Sequence, residues 1–350
     1  MSDKDIFKFT QELDCNELHF FSEEEFGLHA IVAIHNTKLG PSLGGCRCYP
    51  YPTTYEAVVD VVRLAQGMTF KSAVSGLNLG GGKAVILYDP EKIQDRDKFF
   101  KAFGRIVDSL NGKYITAVDV GTTSQDMDSI RTQTRHVTSH NKVSYKEKDP
   151  SPITAIGVLR SMQATAKYML GSDKLDGVRI NIQGLGHVGQ YLAKLLIEHG
   201  AIVKGFDVRA DNIASCVKNY GIIPCASLDE IMFEDCDIFA PCAMGAVLSK
   251  ESIPKLRAKA VVGAANNQLN YPDDIQLLNA KNIIYAPDFV VNAGGIIYVA
   301  GEYFGQTEID TMNKVDEIYN IMLNIFKSAQ ANSKDTQAQA YAIAKARLGS

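Results

Sequence analysis

Lys71 and Lys83 stand twelve positions apart in GMTFKSAVSGLNLGGGKAVI, residues 67–86, with Gly76 and the run Gly80–Gly82 between them. Two ammonium groups brought together repel, so each makes the other easier to deprotonate, and partial burial acts in the same direction. A lysine treated this way becomes a general base near neutral pH, while a neighbour that keeps its charge suits a carboxylate. Most lysines are solvated surface residues, so the pair needs support from elsewhere in the chain.

The elements around the pair are readable. Ala57, Val58, Val61, Val62, Leu64, Ala65 and Met68 recur at three- and four-residue steps, which predicts a helix that starts at a Thr53 or Thr54 cap and brings Lys71 near its end. AVILY after Lys83 reads as a buried strand with the lysine at its start. The glycines between are expected to turn the backbone tightly and let it approach a ligand. Upstream, HAIVAIH at 29–35 reads as a strand. NTKLGPSLGGCRCYPYP follows, with Gly40, Pro41, Gly44 and Gly45 as turn formers and Leu43 inside this glycine-rich turn, as a packing plug or a pocket wall. Cys46 and Cys48 form C-x-C, with their side chains expected on opposite faces of a strand.

A charged helix is expected over about 91–110, followed by KYITAVDVGTT, a strand ending in a turn, with Asp119 near its carboxyl end. That is where open α/β sheets bind ligands, although a turn or cap role is the commoner fate of a single aspartate. Residues 122–150 are polar and broken, and their end is the expected hinge into a second domain. Pro152 opens the helical pattern ITAIGVLRSMQATAKYML, with Thr154 in its first turn, as a cap or a ligand contact.

The second strong signal is GLGHVG, residues 184–189, which comprises Gly184, Leu185, Gly186, His187, Val188 and Gly189. It follows the strand VRINIQ, opens the helix QYLAKLLIEHG, and precedes a strand that closes on Asp207, 23 residues after Gly184. That context is what a dinucleotide fingerprint requires. Gly184 makes the turn, Gly186 admits a pyrophosphate at the helix N-terminus, and Gly189 lets helix and strand pack. Asp207 is suited to the ribose hydroxyls and repels a 2′-phosphate, which favours NAD over NADP, with Arg209 nearby as a contrary charge. Further strands end at CDIFAPCAMGA, AKAVVGAANNQL and IIYAPDFVVNAGG, and put Asn266, Asn267 and Asn292 at strand ends. Their amides either touch a ligand or stabilise loops. A long helix is expected over about 309–330, and an alanine-rich helical tail that folds back on the first domain.

The bulk properties agree with a two-domain α/β protein of 350 residues. The expected division is 1–148, completed by a C-terminal helix 331–350, and a nucleotide-binding domain over 149–330, with a cleft between them. A formal charge of −4 gives no general affinity for nucleic acid. Seven cysteines without C-x-x-C read as free thiols in a reducing compartment. The polar N-terminal stretch lacks the apolar core of a signal peptide, and no apolar run is long enough for a membrane span, so a cytoplasmic location is expected. The histidines show no metal-ligand spacing, so no metal is expected.

GMTFKSAVSGLNLGGGK, KYITAVDVGTT, DPSPITAIGV, CDIFAPCAMGA and GAANNQL together resemble the amino-acid dehydrogenases of the glutamate, leucine, phenylalanine and valine group, most of all the leucine dehydrogenases, over nearly the whole chain. The resemblance implies reversible, NAD-dependent oxidative deamination of an amino acid to a 2-oxo acid and ammonia, by a homo-oligomer (octamer or dimer). It implies that Lys83 is the catalytic lysine, that Lys71 holds the substrate carboxylate, and that Asp119 assists proton transfer at the substrate nitrogen. Asn266 and Asn292 would lie near substrate and nicotinamide, and Thr154 near the nicotinamide amide. Leu43, Gly44, Ala117, Ile296 and Val299 would surround the substrate side chain. The four of these that carry side chains are apolar, whereas glutamate enzymes place a lysine at the position of Leu43 and phenylalanine enzymes tend to be smaller near Leu43 or Ala117. Leucine, isoleucine or valine is therefore the expected substrate.

Three features depart from the family pattern: Gly82 stands where alanine is common, Val118 replaces a glutamate before the acid, and the tail is short. The runner-up is a family member for valine, phenylalanine or another amino acid. A nucleotide-binding protein that lost the chemistry fits less well, because Lys71, Lys83 and Asp119 are all present. A hydroxy-acid dehydrogenase would pair a histidine with a carboxylate. Here His187 lies in the phosphate loop and no other histidine has a plausible place.

Overall fold

The computed structural model describes residues 5–141, 145, 149–243 and 245–349. The chain divides into two compact units, Met1–Lys148 with Val299–Glu308 and Ala344–Ser350, and Asp149–Tyr298 with Ile309–Ile343. Two helices contribute to both: Gly294–Tyr303 changes unit after Tyr298, and Thr336–Leu348 changes after Ile343.

The first unit is built on five strands: β1 (Glu17–Glu23), β2 (Leu28–Asn36), β3 (Ser42–Cys48), β4 (Gly80–Ile86) and β5 (Tyr114–Val118). Their order is β1-β2-β4-β3-β5. β1 and β2 are antiparallel, as are β2 and β4, whereas β3 runs parallel to both β4 and β5. Alternation along the strands separates two cores. On one face Ile31, Ala33 and Val85 pack against Ala57, Val58, Val61, Val62 and Ala65 of the long helix Thr54–Val74. On the other face Val32, Ile34, Cys46, Cys48, Ala84 and Ile86 pack against Phe99, Phe100, Phe103 and Val107 of the helix Arg96–Ser109. Thr53 caps the long helix, its hydroxyl accepting the Glu56 N–H. Lys71 lies in its last turn.

The structure corrects five expectations in this unit. The glycine-rich stretch around Gly44 and Gly45, expected as a turn, is part of strand β3, Ser42–Cys48. Cys46 and Cys48 face the same core, because residues two apart on a strand share a face. Lys83 sits in the middle of β4, since the strand already begins at Gly80. Gly80–Gly82 turn nothing; they are buried strand residues whose missing side chains make room for neighbours. A Cβ on Gly81 would lie 2.1 Å from the Thr69 amide nitrogen and 2.6 Å from the Ala65 oxygen of the long helix. One on Gly80 would meet the Asn36 oxygen at 1.8 Å, and one on Gly82 the Ser42 hydroxyl at 2.7 Å. Gly76 does make a turn, with φ of 70° where the helix ends. Beyond β5, Ser124–Arg131 forms a helix inside the stretch expected to be broken, with a reciprocal Thr123–Asp126 cap.

The second unit carries six parallel strands: β6 (Arg179–Gln183), β7 (Ile202–Phe206), β8 (Ile223–Pro224), β9 (Cys236–Pro241), β10 (Ala258–Val261) and β11 (Ile284–Tyr285). Their order, β11-β10-β9-β6-β7-β8, reverses between β6 and β9, which is the doubly wound arrangement of nucleotide-binding folds. The expected helix over 309–330 is two helices, Glu308–Asp316 and Ile318–Ala331, joined at Glu317. All seven cysteines are free. Among the described residues no helix is long and apolar enough to cross a membrane.

The crowding at Gly81 makes a paired prediction. Gly81→Ala drives a methyl into helix backbone that cannot rotate away, so a loss of about 3 kcal/mol is expected. Gly67→Ala, on the same helix with nothing within 4 Å of the added carbon, is expected to stabilise by about 0.5–1 kcal/mol. Urea unfolding of both variants checks the pair; similar shifts in the two would refute the packing assignment.

Candidate active site

Lys83 belongs to the set of β4 residues that faces the long helix, and Arg47 of β3 lies on the same side, since its neighbours Cys46 and Cys48 face the other core. Asp119 follows β5 directly. Gly45 clears its path: a Cβ there would lie 2.6 Å from the Val118 oxygen and 2.8 Å from Asp119 Cβ. The turn after Asp119 is fixed by Thr122, whose hydroxyl receives the Asp119 N–H at 2.9 Å and donates to the Cys46 oxygen at 3.1 Å.

The Asp119 carboxylate consequently has a donor on each side. Its Oδ2 accepts from Lys83 Nζ, and its Oδ1 accepts from Arg47 Nε at 3.0 Å and from the Val120 N–H at 2.7 Å. The Lys83 side chain is only 5% exposed and that of Asp119 20%. Burial pushes the Asp119 carboxyl up, but the Lys83 ammonium and the Arg47 guanidinium outweigh it and hold the group below the usual carboxylate range. Arg47 also donates from Nη1 to Asp60 Oδ2 at 2.9 Å, and the same oxygen accepts the Tyr51 hydroxyl. Asp60 lies on the helix that carries Lys71, so Arg47 ties that helix to the Asp119 turn.

Leu43, 1% exposed, and Ala117, 8% exposed, stand on adjacent strands of this sheet, with Leu43 opposite Ile115 and Gly45 opposite Ala117. Gly44 is buried between them, and its carbonyl accepts the Tyr114 hydroxyl at 2.6 Å. Val299 belongs to the same unit, where its carbonyl accepts the Thr138 hydroxyl at 3.2 Å. Ile296, on the same helix, belongs to the second unit.

In the second unit the glycine turn sits at the switch point between β6 and β9. Gly184 has φ of 97°, and a Cβ on it would meet Ala243 at 2.6 Å. A Cβ on Gly189 would lie 2.0 Å from the Gly184 oxygen, so only glycine lets this helix start so close to its strand. Gly186 faces open space and precedes the helix His187–Glu198, whose first-turn residues His187 and Val188 are exposed and half-buried. Asp207 closes β7; its Oδ2 accepts the Leu185 N–H at 2.7 Å and its Oδ1 the Arg209 N–H at 2.8 Å.

Asn292 is buried, and its amide donates to the Ala264 oxygen at 3.1 Å and to Asn266 Oδ1 at 2.8 Å. Its own Oδ1 is buried with no hydrogen-bond partner among the described residues. Thr154 packs against the same segment, its hydroxyl 2.8 Å from where a Gly295 Cβ would stand. Asn267 is exposed, with φ of 52° in the left-handed region that asparagine tolerates.

Arg47, Asp60 and Tyr51 are the site residues that sequence reasoning missed. The signal was parity: once 42–48 is a strand, Arg47 must share a face with Leu43 and Gly45.

A five-stranded α/β unit with a buried lysine–aspartate pair, together with a doubly wound parallel sheet bearing a phosphate-type glycine turn, defines a two-domain dehydrogenase architecture. The family model of the Glu/Leu/Phe/Val dehydrogenase dimerisation domain matches residues 16–136, and that of glutamate/leucine/phenylalanine/valine dehydrogenase matches residues 148–212 and 206–349. The chain belongs to this family of amino-acid dehydrogenases. It is 42% identical to the leucine dehydrogenase of Geobacillus stearothermophilus, over 98% of this chain and 93% of that protein. It is 43% identical to the valine dehydrogenase of Streptomyces virginiae, over 92% and 90%. The crystal structure of L-tryptophan dehydrogenase from Nostoc punctiforme matches it with a TM-score of 0.86 at 37% identity, over 98% of each chain.

The charge on Asp119 has a pH signature. Its folded pKa lies below the unfolded value of about 3.9, so its stabilisation is complete above about pH 5 and is lost as pH falls through the folded value. The stability gap between wild type and Asp119→Asn, followed by urea unfolding, is expected to stay constant from about pH 7 to 5 and to narrow below about pH 4. A gap that widens on acidification would contradict the ion-pair account.

Proposed function

We propose that this enzyme catalyses the reversible oxidative deamination of a branched-chain L-amino acid, with NAD as the oxidant: amino acid, NAD and water give 2-oxo acid, ammonium ion, NADH and a proton. The contact that carries the reading is Lys83 Nζ on Asp119 Oδ2, a buried amine one hydrogen bond from a carboxylate. Such a pair can pass a proton within one contact.

The chain's residues suit a dinucleotide. Gly186 leaves open space before a helix N-terminus, where N–H groups favour phosphate, and Asp207 offers a carboxylate at the end of β7. Asn292 Oδ1, without a partner among the described residues, is an acceptor of the kind a carboxamide NH₂ would satisfy; Asn266 is hydrogen-bonded to the same side chain, and Thr154 lies beside Gly295. The charge of Asp207 supports NAD over a 2′-phosphorylated cofactor. When bound, the nicotinamide would accept the hydride released from the substrate α-carbon.

The remaining steps fall to side chains. Lys71 binds the substrate α-carboxylate. Lys83 takes a proton from the water that adds to the imine carbon. Asp119 moves the proton to the substrate nitrogen as the C–N bond breaks. Arg47 holds Asp119 in place through Nε. Leu43, Gly44, Ala117 and Val299, all of the first unit, suit an aliphatic side chain. Val118 in place of a glutamate leaves Asp119 without an adjacent negative charge on its strand, so its partners in charge are Lys83 and Arg47.

Leucine, isoleucine and valine are the substrates favoured by the apolar residues and by the leucine and valine relatives. They differ by a methylene or its placement, worth only about 1–3 kcal/mol of discrimination. The match to a dimerisation domain supports a homo-oligomer.

Ammonia-dependent NADH oxidation over a panel of 2-oxo acids tests the reading. Branched aliphatic acids are expected to give the highest kcat/KM; a preference for phenylpyruvate or 2-oxoglutarate would overturn it. Lys83→Ala is expected to lower kcat by about 10²–10⁴ while NAD binding, followed by fluorescence, stays intact. Turnover near wild type in that variant would remove Lys83 from the mechanism.

A further inference from the structure

The helix that ends in Lys71 stops at a crowded junction. Its last carbonyls are taken up locally: the Ser75 N–H donates to the Lys71 oxygen at 3.1 Å, the Gly76 N–H to Ala73 at 3.2 Å and the Leu77 N–H to Ser72 at 3.0 Å. Gly76, in the left-handed region, closes this Schellman-type turn. Leu77, Asn78 and Leu79 then lead into β4 and Lys83. The Asn78 carbonyl lies so close to Gly40 that a Cβ there would stand 2.3 Å from its oxygen, and the Gly80 N–H donates to the Gly40 oxygen at 3.2 Å and to Pro41 at 3.0 Å. One short segment therefore sets the positions of the Lys71 helix end, the Lys83 strand and the start of β3.

A residue from the far end of the chain holds this segment. Arg347 Nη1 donates to the Leu77 oxygen at 2.6 Å, to Ala73 at 3.1 Å and to Ser72 at 3.5 Å, and its Nη2 donates to Asn78 Oδ1 at 2.8 Å. Each of these acceptors is a neutral oxygen. A guanidinium that spreads over the last turn of a helix and the loop after it satisfies second lone pairs and sits at the negative end of the helix dipole. The helix Thr336–Leu348 that delivers it is anchored by fully buried Ala340 and Ala344 and by Leu348, 7% exposed. Burial lowers the Arg347 guanidinium from its ordinary range, and its hydrogen-bond acceptors among the described residues are all neutral. The four hydrogen bonds, all to the helix end and the loop after it, make Arg347 the clamp of this junction.

We propose that Arg347 is a positioning residue for the substrate-carboxylate site: it fixes the end of the helix that carries Lys71, and so the C-terminal helix sets the enzyme's affinity for its amino acid. The proposal rests on the reading that Lys71 binds the α-carboxylate. It gives the tail a role within the subunit's own site.

Full-length Arg347→Ala and Arg347→Lys, with Lys71→Ala alongside, provide the test. In Arg347→Ala the KM for the amino acid is expected to rise about tenfold while kcat stays within about threefold and the KM for NAD is unchanged. Millimolar guanidinium is expected to recover part of the loss, and Arg347→Lys to fall between, since an ammonium keeps the charge but cannot fork across four acceptors. Hydrogen exchange should show faster exchange at the amides of residues 75–77 in Arg347→Ala. An unchanged amino-acid KM, or a rise in both KM values together with a fall in kcat, overturns the proposal. Should Arg347→Ala not fold, the same KM comparison in Arg347→Lys decides the matter. If Lys71→Ala leaves the KM unaltered, the carboxylate reading fails. Hydrogen exchange at 75–77 still reports on the clamp by itself, and unchanged exchange would count against it.

Discussion

A buried ammonium needs a counter-charge, and most of the first unit can be understood as the means of providing one for Lys83. With its side chain 5% exposed, Lys83 has left nearly all its water. An unpaired charge in that position costs several kcal/mol, and stripping the partner from a buried pair typically costs about 3–5 kcal/mol. Asp119 supplies the charge, but a carboxylate at the end of a strand has freedom to swing away. Arg47 Nε and the Val120 N–H fix one oxygen, which leaves the other aimed at the amine. Arg47 in turn is held by Asp60, and Asp60 by Tyr51. The charges thus alternate from the sheet to the long helix, and each member limits the motion of the next.

The same requirement explains the glycines. For Lys83 to be buried, the long helix must lie directly on β4, and Gly81 is where helix backbone takes the place of a side chain. For Asp119 to reach Lys83 across β3, the residue between them must have no Cβ, and that residue is Gly45. Gly44 meets the Gly82 carbonyl in the same way. The run Gly80–Gly82 and the pair Gly44–Gly45 are therefore two sides of one close-packed layer. Substitution there would move the charged groups before it touched any ligand.

This is also why the sequence was legible in one half and misleading in the other. In the second unit strand, turn, helix and closing acid are contiguous between Arg179 and Asp207, and their order carries the geometry. Pro152 and Thr53 likewise mark helix starts through local chemistry. In the first unit glycine has two meanings, a turn or a crowded strand, and local pattern cannot separate them. Reading the glycines at 44 and 45 as a turn, and giving Cys46 and Cys48 opposite faces, hid the parity that puts Arg47 beside Asp119, and the lysines were left as each other's expected neighbours when the described partner of Lys83 is a carboxylate. Asp60 and Arg347 were out of reach for another reason. Their partners lie 13 and about 270 residues away, and no periodicity encodes such contacts.

The clamp on Asp119 constrains the chemistry as well as the fold. A carboxyl held below its usual range by two cations is a poor store for a proton at neutral pH, so Asp119 suits transfer in passing better than service as a standing acid. In the proposed reaction the amine it touches is the natural source and destination of that proton, since a single hydrogen bond joins the two groups. On that proposal, a Lys83 proton drawn away would leave Asp119 with Arg47 as its counter-ion, so the carboxylate would not stand bare in a site with little water. Arg47, bonded to both Asp119 and Asp60, is thus the fixed counter-charge of the carboxylate, independent of what Lys83 does.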